Sequence, residues 1–182
     1  MMRVNNQEIR VLAQQYRAAM NKAKGAGAFA FDEKFCEFPD QCCGDTCNLL
    51  AVYLMNYGIQ TLWISNDGEL GSHAWLVVMD DDISEPSGRL DYPDSIKRVL
   101  EGYGAANFEQ QEALYREEDL ENGTIVDITA DQFDKRYNPV YVDKMDSFHR
   151  QFEFRQAYDY IPLPNLKDRL KKLYQIVDAY LD

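Results

Sequence analysis

Three residues whose types can activate a thiol stand in order along this chain: Cys43, His73 and Asp127. Cys43 extends by one turn the apolar face Cys47, Leu50, Ala51 and Leu54, so the spacing places it at the buried N-terminus of a helix. Unpaired backbone N–H groups and the helix dipole favour negative charge there. They would lower a thiol from its free value of about 8.5 toward the reactive thiolate. Gly44, next to it, leaves room for a substrate to approach. His73 opens the apolar run SHAWLVVM, which places an imidazole at the start of a buried strand. Asp127 lies inside IVDIT, where a carboxylate is costly unless it is paired. A histidine N–H on a neighbouring strand is its natural partner, and a carboxylate so placed fixes the tautomer of the ring. Together the three could run acyl transfer, with the thiolate attacking an amide carbonyl, the imidazolium protonating the leaving amine, and water or an amine resolving the thioester. The backbone N–H of Cys43 is one expected oxyanion donor, with a second expected from Gln41 or the loop at 29–38.

The adjacent Cys42 is the rival nucleophile, but the helical face selects Cys43, and Cys47 is expected to be a packing residue. His149, in Phe148-His149-Arg150, has no matching partner in the sequence and is read as surface or structural.

The run Cys43-Gly44-Asp45-Thr46-Cys47, entering Leu49 to Leu54 and closing on Tyr57-Gly58-Ile59, resembles the nucleophile helix of the transglutaminase-core family. His73-Ala74-Trp75 resembles that family's His-Ala-Trp strand, and Val126-Asp127-Ile128-Thr129 its Asp-Pro-Thr segment, with Ile128 in place of the proline. The resemblance runs from Cys43 to Thr129. It implies an α+β, papain-like fold with the nucleophile helix packed on an antiparallel sheet. It also implies thiol-based acyl transfer on amide bonds, of protease, amidase, deamidase or transglutaminase type, with no cofactor and no metal. Cys43, His73 and Asp127 would be catalytic, and Gln41, Gly44 and Trp75 would lie at the oxyanion or substrate site. A catalytically silent binding module on the same fold is the alternative; it would usually have lost one of the three residues. An arylamine N-acetyltransferase-like enzyme shares the residue order, but this chain is short for one and carries no visible acetyl-CoA site.

The elements that must position these residues follow from periodicity. Ile9, Leu12, Tyr16 and Ala19 predict a helix over 5–22, and a second is expected over 43–57, stopped by Gly58. Strands are expected at 60–65, 72–79, 124–129, 138–143 and 152–158, with Asn66-Asp67-Gly68 as the turn after the first. Leu166, Leu170, Leu173, Val177 and Leu181 predict a closing helix over 165–181. Between the second and third strands, residues 80–121 hold thirteen acidic and four basic side chains, with helix-like pieces at 95–102 and 107–118. This stretch reads as an acidic insertion into a single domain spanning 1–182.

At 182 residues the chain suits one domain with a real core. Its net charge of -12 disfavours nucleic acid as a partner; the acidic insertion reads first as a solvated, repulsive surface, and as the alternative would suit a basic peptide or protein substrate. No apolar run approaches the roughly 20 residues of a membrane span. The start, MMRVNNQEIRVLAQQ, lacks the apolar core of a secretory signal, so a reducing cytoplasm is the expected compartment. The four cysteines cluster between positions 36 and 47, too close for a disulfide framework, and adjacent Cys42 and Cys43 do not fit zinc-ligand spacing.

Overall fold

A computed structural model describes residues 5–79, 120–159 and 168–181. The first helix, α1 (Asn6–Gly25), starts at a capping box. The Asn5 side chain accepts from the Glu8 N–H at 2.9 Å, and the Glu8 carboxylate accepts from the Asn5 N–H at 3.1 Å. Its buried stripe is Ile9, Ala13, Tyr16, Met20 and Ala23. Helix α2 (Cys43–Met55) buries Cys47, Leu50, Ala51 and Leu54, the face expected from the sequence. It ends where Gly58 takes a left-handed φ of 76°. Helix α3 (Asp168–Asp178) buries Leu170, Leu173 and Val177.

Five strands form one antiparallel sheet: β1 (Leu62–Gly68), β2 (Gly71–Val78), β3 (Thr124–Asp127), β4 (Tyr141–Asp143) and β5 (Phe152–Asp159), in the order β4-β3-β2-β1-β5. The chain is therefore mixed α+β. β2 lies at the centre and is buried on both faces from His73 to Val77, as its near-continuous apolar run implies. Ala74, Leu76 and Val126 join the core beneath the three helices. Ile64, Trp75, Val77 and Ile125 face the opposite way, into a second core with Phe148 and Phe152.

The β1–β2 turn is not at Asn66-Asp67-Gly68. Those residues extend β1, pairing with His73, Ser72 and Gly71, and the turn is Glu69-Leu70. Gly71, at φ 107°, supplies the backbone freedom the hairpin needs, and Asn66 is buried opposite His73. The insertion's two helix-like pieces and residues 165–167 of the closing helix lie outside the described residues.

Candidate active site

The sheet opens where the site is built. β2 and β3 pair only through Leu76–Val126, Val77–Ile125 and Val78–Thr124, so the start of β2 is free of β3. Into this gap α2 brings Cys43 from the helical layer. The His73 side chain and the backbone N–H groups of Ala74 and Gly44 lie near enough to its sulfur to act on its charge. Burial alone would raise the thiol; the His73 hydrogen bond and charge, with the two N–H groups, more than reverse this and hold it below its ordinary value. Cys42 and Cys47, on the same helix start, go the other way. Burial pushes Cys42 up to about 12 and Cys47 well above the ordinary range. Cys36 is exposed, and all four are free thiols.

His73 projects from β2 on the same side as Trp75. Its Nε2 donates to Asp127 Oδ2 at 2.6 Å, and both side chains are fully buried. Asp127 ends β3, one residue past the last pair that strand makes with β2, Leu76–Val126. Asp127 Oδ1 accepts from the backbone N–H of Thr129 at 2.8 Å and from its hydroxyl at 3.2 Å, so the Asp-x-Thr spacing locks the carboxylate's orientation. Burial would lower the imidazole, but the Asp127 charge and hydrogen bond, together with the Cys43 sulfur, raise it to about 9. Asp127 is itself held far below the usual carboxylate range: burial opposes this, and His73 and His149 override it. Each shift runs toward the charged form: thiolate at Cys43, imidazolium at His73 and carboxylate at Asp127. The rings of Trp75, Phe133, Phe148 and Phe152, with centroids 5.0–5.9 Å from the imidazole, wall it in.

The three residues singled out by type and spacing thus converge. The residues expected at the oxyanion or substrate site are Gln41, Gly44 and Trp75. Gln41 stands two residues before Cys43 with a left-handed φ of 59° and an exposed side chain. The Gly44 carbonyl accepts from the Trp63 indole at 3.3 Å and from the Asn48 amide at 3.1 Å, and a Cβ on Gly44 would sit 3.5 Å from the Trp63 ring. Trp75 is buried on the face of the sheet away from α2 and stacks edge-on against His149, 4.9 Å between ring centroids.

Three residues of this region were missed in the sequence. His149 is not a surface residue: it is 1% exposed, with Nε2 3.4 Å from Asp127 Oδ2 and Nδ1 donating to Asp146 Oδ1 at 2.6 Å. Its aromatic neighbours Phe148 and Phe152 were the available signal of burial. Gln132, half-buried, sets its amide 3.1 Å from His73 Nδ1, the nitrogen that Asp127 leaves open. Arg17 on α1 clamps Asp131 with two hydrogen bonds of 2.8 Å, donates to the Ile128 carbonyl, and stacks over Phe38 at 4.6 Å. One buried guanidinium thus ties the turn after Asp127 to the loop before Cys43. No spacing rule links position 17 to 131.

Among the described residues no group of three or more His, Cys, Asp or Glu is placed to hold a metal ion, and no helix is long and apolar enough to cross a membrane. Comparison with protein-family models, with characterised proteins and with solved structures finds no match to this chain.

Proposed function

We propose that this protein is a cysteine-dependent acyl hydrolase or acyl transferase acting on amide bonds, with a papain-like, transglutaminase-like arrangement of helix and sheet. The observation that carries the reading is the charge pattern of one cluster. Of the three cysteines at the start of α2, only Cys43 has His73 acting on it and is lowered toward its thiolate, while its buried neighbours Cys42 and Cys47 are raised.

Cys43 Sγ attacks the carbonyl carbon of the amide, and the C=O π pair moves onto oxygen. The N–H groups of the uncapped first turn of α2 face the developing charge; Cys42 gives that helix no side-chain cap. His73 then protonates the amine nitrogen as the C–N bond breaks and a thioester forms on Cys43. Water or an amine, deprotonated by His73, releases the acyl group and restores the thiol pair. Asp127 stays ionised throughout and holds the ring by its Nε2–H. The Gln132 amide beside Nδ1 is the first protein group a leaving amine would meet on its way to the proton. The net charge of -12 suits a basic peptide or protein as substrate.

The test is hydrolysis of a mixed peptide library by the whole chain, read by mass spectrometry, beside the Cys43→Ala variant. Cleavage or deamidation products that vanish in the variant support the proposal. Products that persist in it reject Cys43 as nucleophile, and peptide retention without turnover points to a silent binding module.

A further inference from the structure

On the sheet face opposite α2 lies a cavity of about 280 Å³. Two of its lining side chains are almost completely buried and each carries a nitrogen without a hydrogen-bond partner, Asn66 Nδ2 and Trp75 Nε1; the third buried polar side chain on it, His149, faces Asp127 with its Nε2. Buried polar groups in a folded chain are nearly always satisfied, so two unpaired donors on one cavity point to an occupant that accepts from both. Asn66 shows how such a group comes to be here. The ladder from β1 to β5 slips a residue between Ser65 and Asn66, and such irregularities re-aim a side chain. Apolar walls come from Val77, Met145 and Phe152, and an ion pair of 2.6 Å between Arg150 and Glu121 stands among exposed residues at the rim.

We propose that this cavity binds a small uncharged ligand that presents a carboxamide or other neutral carbonyl oxygen to Trp75 and Asn66 and an apolar ring or chain to the walls. The indole N–H can only donate, which requires an acceptor on the ligand. Local charge argues that the acceptor is neutral: Asp127 lies 3.4 Å from His149, Asp146 binds the other side of that ring, and Glu121 stands at the rim. A carboxylate brought among these three would be repelled. The volume is ample, since an apolar cavity of about 150 Å³ already accepts benzene. Neither Cys43 nor His73 lines the cavity, so the site does not rest on the thiol chemistry and either can fail without the other.

The chain has two tryptophans, hence two indole N–H resonances, which the Trp75→Phe variant assigns. Benzamide, benzoate and benzylamine are titrated separately into the whole protein. Benzamide should move the Trp75 indole resonance saturably and leave that of Trp63, already bonded to the Gly44 carbonyl, in place. Benzoate should bind at least tenfold more weakly, and Asn66→Leu should weaken benzamide by a similar factor. If either variant fails to fold, the wild-type titration still decides, because ring contacts with Trp75 give nuclear Overhauser effects that Trp63 cannot. No saturable shift up to the solubility of benzamide would mean that the cavity holds water only. That outcome, equal movement of both indoles, or tightest binding by benzylamine would overturn the proposal.

Discussion

At the scale of single residues the site is a chain of charges, each held by its neighbour. His73 rises to about 9 from an ordinary 6.5, and Asp127 and the Cys43 sulfur are the cause. A raised imidazole is protonated below that value, so its pairing contributes stability that is complete below 6.5 and is lost as pH rises through about 9. On the proposed mechanism amide turnover needs the imidazolium proton, so it should fall on a basic limb near pH 9 in a pH–rate profile. On the proposed mechanism, Asp127→Asn should cost about 10⁴-fold in kcat, as for a triad that loses its orienting carboxylate. Asp127 itself works in the opposite direction. Its depressed value contributes stability present above the ordinary carboxylate range and lost as pH falls. His149 is one of the two groups that depress it, so His149→Phe should begin to unfold at a higher pH than wild type in an acid titration followed by circular dichroism.

At the scale of elements, the gap between β2 and β3 and the clamp of Arg17 decide the geometry. Arg17 and Asp131 form a buried pair, with side chains 8% and 11% exposed. Removing one member of such a pair leaves the other charge unpaired, at about 3–5 kcal/mol. Arg17→Ala should lose stability of that order in urea unfolding, and Asp131→Ala should lose a similar amount, with the double variant less than additive. Most of this level was legible beforehand. Periodicity placed both flanking helices, α2 and all five strands: the helices repeat their apolar residues along one stripe, and β2, covered on both faces, reads as a near-continuous apolar run. β1 ran past its expected end because Asn66, a turn-former by type, is buried opposite His73, and sequence offers no sign of which side of a hairpin will be covered. The same blindness hid Arg17, Gln132 and His149. Their partners lie 114, 59 and 22 positions away along the chain, and only the closure of the sheet brings them together.

At the scale of the whole molecule, the charge of -12 sets the field that a substrate meets, and residues 80–121 carry -9 of it. If the substrate is basic, association is steered and salt must weaken it. Going from about 0.02 to 0.5 M NaCl shortens the screening length from roughly 20 Å to roughly 4 Å. This should lower kcat/KM for a lysine-flanked peptide several-fold while leaving that for a neutral peptide nearly unchanged. Equal loss for both would remove the electrostatic part of the substrate assignment and leave the chemistry of Cys43 untouched.

The most direct measurement of the central claim is the order in which the four cysteines are alkylated. The folded protein is treated with limiting iodoacetamide at pH 6, digested, and mapped by mass spectrometry, beside the His73→Ala variant. Cys36 is exposed and Cys43 only partly so, which separates accessibility from reactivity. The thiolate–imidazolium pair predicts that Cys43 is labelled first in the wild type and loses that lead in His73→Ala, while the Cys36 rate is the same in both. Labelling led by Cys36 or Cys42, or a Cys43 rate indifferent to His73, would contradict the account.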